Sequence, residues 1–153
     1  MTLSSIVTAD EATPVLRWEI RDGGPPRLTS LRRAVARALP DLDEDTIIDV
    51  KLICTELVTN VYQHARTSGE LRITRPADET ICIEVDDGSS RPPLKAAGAP
   101  GERRCRGWDI VDAVAKQWGV RPAGTGKTVW VEIDSRSPVA ASARAGEAAE
   151  GPA

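Results

Sequence analysis

Apolar and polar residues alternate over several short stretches of the chain, and each such stretch predicts a strand. The first is Pro14–Ile20, which is followed by a turn rich in Gly and Pro at residues 22–26. Two more, Leu71–Thr74 and Ile81–Val85, are separated by a short polar turn and predict a hairpin. A last strand is predicted at Thr128–Ile133.

Three other stretches, residues 28–39, 41–65 and 107–118, carry apolar residues at helical spacing. The second begins with an acidic run, Asp41–Asp45, whose charges suit the positive end of a helix dipole. A long loop rich in Gly, Pro and Arg is predicted over Asp87–Arg104. Paired strands and helices in this order predict an α+β fold with one sheet and with helices packed on one of its faces.

Both ends of the chain lack the large apolar residues that a core requires. Residues 1–12 are expected to be flexible, and residues 135–153, rich in Ala and Gly, are expected to be a disordered tail. The remaining segment, 13–134, is long enough to form one folded domain.

The charge balance and the cysteine pattern exclude several classes of protein. A net charge of -3 argues against direct binding to a nucleic-acid backbone. Three cysteines without CxxC spacing indicate neither a disulfide framework nor a zinc site. No apolar stretch approaches the length of a membrane span, so we expect a cytoplasmic protein without a membrane partner.

The second predicted helix carries a possible functional pair. Glu56 and Asn60 lie one turn apart, on the flank of the apolar stripe rather than opposite to it. A carboxylate and an amide so placed can reach the same bound ion or water. Taken alone, the pair is explained more simply as a solvated helix edge. The stripe itself consists of Ile47, Val50, Cys54, Leu57 and Val61.

One further segment is similar to part of a phosphate-binding motif. Gly124–Thr128 reads GTGKT, similar to the tail of a P-loop. The full P-loop pattern requires Gly where this chain has Arg121, and it requires a helix after the Thr. Because a strand is predicted there instead, we reject the P-loop interpretation.

Four segments, in the correct order, resemble the motifs of the GHKL ATPase superfamily in the form used by bacterial anti-sigma-factor serine/threonine kinases. They are Glu56–Ala65 (ELVTNVYQHA), Val85–Ser89 (VDDGS), Cys105–Val111 (CRGWDIV) and Gly126–Glu132 (GKTVWVE). This resemblance implies the Bergerat ATP-binding fold, a two-layer α/β sandwich with a mixed, mostly antiparallel sheet. It also implies ATP and Mg²⁺ as cofactors.

The resemblance assigns a role to three residues of the second helix. Glu56 would act as the general base that polarises the attacking hydroxyl. Asn60 would bind Mg²⁺ through its amide oxygen, a hard ligand for a hard ion. His64 would support the ATP site by hydrogen bonding.

The other motifs supply the groups that bind the nucleotide. Asp87, rather than Asp86, would accept a hydrogen bond from the adenine amino group, with Ser89 in the same site and the Thr128 hydroxyl nearby. The backbone N–H groups of Arg106, Gly107 and Trp108, at a helix N-terminus, would bind the phosphates.

The function implied by the resemblance is that of an ATP-dependent regulatory kinase. Such a protein binds a sigma factor, or binds and phosphorylates a small STAS-type anti-sigma-factor antagonist, and it is expected to form a homodimer through its first strand and helix.

Two alternatives to the kinase interpretation are open. Cys105 and Trp108 replace a Gly and a Leu of the third motif, which favours a catalytically weak or inactive nucleotide-sensing scaffold. A histidine-kinase-type ATPase domain is the weaker alternative. We expect no dimerisation helices with a phospho-accepting His in a chain of this length, and His64 lies within the ATP-site helix.

Overall fold

The computed structural model describes residues 13–77, 79–89 and 103–135, except for the side chains of His64 and residues 103–108. The expectations for residues 1–12 and for the tail beyond Ser135 fall outside the described residues. Ser135 itself is joined to the fold, because its N–H donates to the Glu79 carbonyl at 2.7 Å.

Five strands and three helices form the described structure. They are β1 (Leu16–Ile20), α1 (Leu28–Ala38), α2 (Glu44–Asn60), β2 (Gly69–Ala77), β3 (Thr80–Asp87), α3 (Arg103–Val114), β4 (Gln117–Ala123) and β5 (Gly126–Asp134). The strands form one sheet in the order β1-β2-β3-β5-β4. All four described pairings are antiparallel, and the predicted α+β fold is confirmed.

The third predicted helix, residues 107–118, was wrong at both ends. The helix begins at Arg103 and ends at Val114, and the next residues form β4, a strand that the sequence analysis missed. Gly119 and Pro122 are typical of turns, and for this reason the sequence pattern indicated a turn here rather than a strand. A Pro is tolerated there because β4 is an edge strand. Trp118 folds back onto α3, where its indole N–H donates to the Asp112 carboxylate at 2.7 Å.

The core lies between the helices and one face of the sheet. Successive side chains in a strand point to opposite faces, so alternate positions of each strand enter the core. Each fully buried Leu or Ile contributes about 1.5–3 kcal/mol relative to the exposed side chain. The fully buried core residues include Leu31, Val35, Ile53, Leu57, Leu71, Ile73, Ile81, Ile83, Val131 and Ile133.

The opposite face of the sheet carries a network of charged side chains. Arg72 donates to both oxygens of Asp86 and lies 3.8 Å from Glu84, which also accepts a hydrogen bond from Arg121. The Glu84 side chain is only 2% exposed, and a buried carboxylate needs such partners to offset its lost hydration. Thr128 donates to Asp86 at 2.6 Å and completes the network.

Helix α2 ends in an unusual turn. Residues Val61–Ala65 form a π-helical turn, and Arg66 then adopts a left-handed conformation with φ 51°. The Arg66 N–H donates to the Val61 carbonyl at 2.9 Å and closes the turn. This conformation reverses the chain direction and leads into β2. It also costs energy, since Arg has a Cβ that opposes positive φ.

Replacing Arg66 by Gly is expected to stabilise the protein by about 0.5–1 kcal/mol, because relief of the left-handed strain exceeds the entropy lost by a more flexible residue. Urea unfolding followed by circular dichroism measures this difference. Arg66→Ala, which keeps the Cβ, is the control and should give no gain. Equal stability of the Gly and Ala variants would show that residue 66 is unstrained.

Candidate functional site

Glu56 and Asn60 lie on one flank of α2, half-buried between the sheet and solvent. No described residue forms a hydrogen bond with either side chain. Burial raises the pKa of the Glu56 carboxyl above its ordinary value, because partial removal from water disfavours the charged form. The pair therefore consists of a carboxylate that readily accepts a proton and an amide that is available to a ligand.

The opposite flank of α2 borders a separate pocket of about 370 Å³. Its walls include Val58 and Tyr62 of the α2 region, Trp18 of β1 and the two prolines Pro25 and Pro26. None of the predicted site residues lines it. The Glu56 flank and this pocket are therefore two distinct surfaces of the same helix.

Asp87 ends β3 and points to the helix face of the sheet. The Lys127 ammonium lies 3.0 Å from Asp87 Oδ1 and 2.9 Å from Oδ2. The two side chains are 3% and 7% exposed, so this is a buried ion pair. The Ser89 N–H also donates to Asp87 Oδ1, at 2.7 Å, and the Ser89 carbonyl accepts from Lys127 at 3.2 Å.

Asp86 and Asp87 are neighbours in sequence but face opposite sides of the sheet. Burial alone would raise the pKa of Asp86, but hydrogen bonds from Arg72 and Thr128 hold that pKa below its ordinary value. Asp86 is therefore committed to the charged network described above. Only Asp87 points toward the helix layer, as the motif resemblance requires.

The structure does not bring Thr128 to Asp87, which corrects the expectation that its hydroxyl lies nearby. In the antiparallel register Thr128 pairs with Asp86, and Lys127 pairs with Asp87. Because side chains alternate along β5, Thr128 points to the face opposite Asp87. The group beside Asp87 is the Lys127 ammonium, a residue that the sequence analysis did not include in the site.

A direct link joins the end of α2 to the end of β3. The segment after α2 contains Thr67, whose hydroxyl accepts a hydrogen bond from the Gly88 N–H at 2.8 Å. Gly69, the first residue of β2, pairs with Asp87. The two motifs that carry Asn60 and Asp87 therefore meet at the same end of the sheet.

Two glycines allow the strands to approach Asp87 closely. A Cβ added at Gly126 would lie 1.9 Å from the Asp87 carbonyl oxygen, and one added at Gly69 would lie 2.0 Å from the Asp86 carbonyl oxygen. Such distances are impossible for real atoms, so any other residue would displace the end of β3. These glycines fix the backbone from which the Asp87 side chain projects.

The third motif is placed differently from the prediction. Because α3 begins at Arg103, four residues earlier than expected, Gly107 and Trp108 lie in the second turn of the helix. There their N–H groups have intrahelical partners, and only Arg106 remains in the first turn. The side chains of these residues and of His64 lie outside the described structure, as do residues 90–102 of the loop predicted over Asp87–Arg104. The ends of that prediction were wrong, because Asp87 belongs to β3 and Arg103 and Arg104 belong to α3.

The segment Gly124–Thr128 confirms that the P-loop interpretation was rightly rejected. Gly124 lies in the turn between β4 and β5, with φ 59°, and the Lys and Thr that follow are in a strand. A P-loop requires a helix at this point. Lys127 therefore forms an ion pair with Asp87 and is not the lysine of a P-loop.

The residues present fit a magnesium ion held chiefly by its nucleotide. Within the described ranges, no group of three or more His, Cys, Asp or Glu side chains could hold a metal ion. Mg²⁺ commonly takes one or two protein ligands and completes its octahedron with phosphate oxygens and water. The unengaged Asn60 amide oxygen can supply such a single ligand.

Comparison with known families agrees with this geometry. A family model described as "Histidine kinase-like ATPase domain" matches residues 24–133. The chain belongs to this family. The match includes Glu56, Asn60, Asp87 and Lys127, and the domain is of the GHKL ATPase type.

A solved structure shows the same fold. The histidine kinase domain from the blue-light activated histidine kinase of Erythrobacter litoralis EL346 matches with a TM-score of 0.51 and 23% identity. The alignment covers 74% of this chain and 62% of that chain, so the present chain spans less than two thirds of its structural relative. No curated protein matches the sequence. In the described residues, no helix is long and apolar enough to cross a membrane.

The Gly126 contact predicts a stability effect at the site. Gly126→Ala is expected to lower the unfolding free energy by about 1–3 kcal/mol, because its Cβ must displace the Asp87 backbone. Gly24→Ala, where a Cβ meets no atom within 4 Å, is the control and should change stability by less than about 0.5 kcal/mol. Chemical denaturation compares them, and equal effects would show that β5 does not approach Asp87 so closely.

Because Glu56 is half-buried, we expect its neutral variant to be more stable than the wild type at neutral pH but not at acidic pH. The folded-state pKa lies above the unfolded-state value, so the charge costs stability at pH values above both and nothing below both. Glu56→Gln should therefore raise the unfolding midpoint slightly at pH 7, by about 1–3 °C, and lose this gain by about pH 4. Calorimetry at both pH values measures it.

The control for this experiment is Glu44→Gln, in the first turn of the same helix. There a negative charge favours the helix dipole, so its removal should lower the midpoint at pH 7. If both variants lowered it equally, Glu56 would be an ordinary solvated residue.

Proposed function

We propose that this ATPase domain is an ATP-dependent protein serine/threonine kinase of the anti-sigma-factor type. Its partners are a sigma factor, which it binds, and a small STAS-type antagonist, which it phosphorylates. The observation that carries the proposal is the Glu56 carboxylate, with its raised pKa, on the same flank as Asn60. The Thr67 to Gly88 hydrogen bond holds this end of α2 at the sheet end that carries Asp87.

Glu56 supplies the acid-base chemistry of the proposed reaction. The hydroxyl oxygen of a Ser or Thr attacks the γ-phosphorus of ATP, and its proton passes to the Glu56 carboxylate. The bond from the γ-phosphorus to the bridging oxygen breaks, and ADP leaves. A carboxylate whose pKa is raised is a better proton acceptor, which favours the role of general base.

The rest of the site orients and neutralises the nucleotide. Asn60 would hold Mg²⁺ through its amide oxygen, and the ion when bound offsets the charge of the phosphates. Asp87 would accept a hydrogen bond from the adenine amino group on the helix face of the sheet. Positioning and charge neutralisation supply most of the catalysis in phosphoryl transfer.

Exposed apolar residues on α2 support a protein as the phosphate acceptor. Ile48 and Leu52 are 48% and 39% exposed, and they lie two turns and one turn before Glu56. A protein carrying the acceptor hydroxyl could bury these side chains while it presents its Ser or Thr to Glu56. The proposal also includes a homodimer through β1 and α1, because β1 is an edge strand of the sheet.

The decisive experiment incubates the purified chain with Mg²⁺ and ATP labelled on the γ-phosphate, together with each STAS-domain protein encoded in the same genome. We expect label on one of these proteins, stable in acid as phosphoserine or phosphothreonine. Glu56→Gln should slow the transfer by at least about 10²-fold, the usual share of a general base. Glu44→Gln, far from the site on the same helix, should leave the rate unchanged.

Other outcomes separate the alternatives. ATP binding by calorimetry without transfer to any STAS-domain protein would favour the nucleotide-sensing scaffold. Acid-labile label would indicate a phosphohistidine and a histidine-kinase-type ATPase domain. Transfer by Glu56→Gln at the wild-type rate would contradict the proposed base.

A further inference from the structure

Lys127 is the buried cation nearest to the carboxylate that the proposed function assigns to adenine. Its ammonium contacts both oxygens of Asp87 and also donates to the Ser89 carbonyl. The ammonium thus makes hydrogen bonds to Asp87 Oδ1 and to the Ser89 carbonyl, and an ion-pair contact with Asp87 Oδ2. These contacts commit Lys127 to Asp87 and to the turn that follows it.

The two oxygens of the Asp87 carboxylate differ in how many contacts with donors they already have. Asp87 Oδ1 accepts from Lys127 and from the Ser89 N–H, while Oδ2 has only the Lys127 contact among the described residues. A carboxylate has acceptor sites on both oxygens and no donor. Oδ2 is the oxygen that can accept one more.

The backbone around the pair fixes its direction. Asp87 and Lys127 are cross-strand partners, and both point to the helix face. Ser89 N–H holds Oδ1, while the close approach of Gly126 to the Asp87 carbonyl prevents the strand end from shifting. The free acceptor at Oδ2 therefore has one orientation rather than several.

We propose that Lys127 is a positioning residue that sets base specificity, by holding Asp87 as an acceptor that admits a purine 6-amino group and rejects a 6-oxo group. The proposal rests on the proposed function, because it assumes that the nucleotide base lies at Asp87. Adenine offers an amino donor at position 6. Guanine offers an oxygen there, which would repel the carboxylate.

Loss of the ammonium should change specificity and not only affinity. Without Lys127 the carboxylate keeps one N–H donor, that of Ser89, and it is free to turn about that single contact. It then no longer presents Oδ2 to the base in one orientation, and the discrimination against the guanine oxygen weakens. A purely structural ion pair would weaken both nucleotides equally instead.

The test measures binding of Mg-ATP and Mg-GTP to the full chain by calorimetry. The wild type should bind ATP at least 100-fold more tightly than GTP. In Lys127→Met the ATP affinity should fall at least 10-fold, and the preference for ATP should also fall at least 10-fold. Lys116→Met removes an exposed lysine that is also paired with carboxylates, and it should keep the wild-type preference.

A second variant tests the proposal if Lys127→Met does not fold. Asp87→Asn gives residue 87 an amide N–H donor and also frees the Lys127 ammonium, and either group can donate to the guanine oxygen. The preference for ATP should therefore fall at least 100-fold in this variant. In Asp87→Leu/Lys127→Met, which has neither the amide nor the ammonium donor, this gain in GTP binding should be lost again.

Two results would overturn the proposal. If folded Lys127→Met or Asp87→Asn kept the preference of the wild type within threefold, Lys127 would be only structural, and the proposed kinase function would stand. If the wild type bound neither nucleotide, the proposed function would fail and the specificity role with it.

Discussion

The antiparallel placement of β3 between β2 and β5 determines which side chains can form a site. Because side chains alternate along a strand, this register sends Asp86 to one face and Asp87 to the other. Asp86 accepts hydrogen bonds within the charged network on the sheet face that lies opposite the helices. Asp87 enters the layer between sheet and helices, where Lys127 is its cross-strand partner. A slip of one residue would exchange these two environments.

The connection from α2 to β2 brings the end of the helix to the same end of the sheet. The chain leaves α2 through a π-helical turn and the left-handed Arg66, and it enters β2 at Gly69, opposite Asp87. The Thr67 to Gly88 hydrogen bond then ties the two segments together. As a result, a helix flank that carries a proton acceptor and an amide lies at the sheet end that carries the buried carboxylate.

Local patterns in the sequence predicted much of this fold, but not all of it. Alternation and helical spacing located four strands and two helices, because those segments carry clear apolar periods. These patterns did not reveal β4. Its Gly119 and Pro122 are typical of turns, and a local pattern does not show which strand an edge strand pairs with. Lys127 was missed for a related reason. Its role depends on the register of β5 against β3, which alternation alone does not reveal, and the same register moved Thr128 to the opposite face.

The most direct test of a nucleotide site between α2 and the end of β3 is a nuclear magnetic resonance titration of the ¹⁵N-labelled chain with Mg-ATP. The Asn60 side-chain amide and the Ser89 backbone amide report on the site, and the Trp130 indole N–H reports on the opposite face of the sheet. We expect large, saturable shifts of the Asn60 and Ser89 signals and little change at Trp130. Shifts that were largest at Trp130, or absent from Asn60 and Ser89 at saturation, would contradict it.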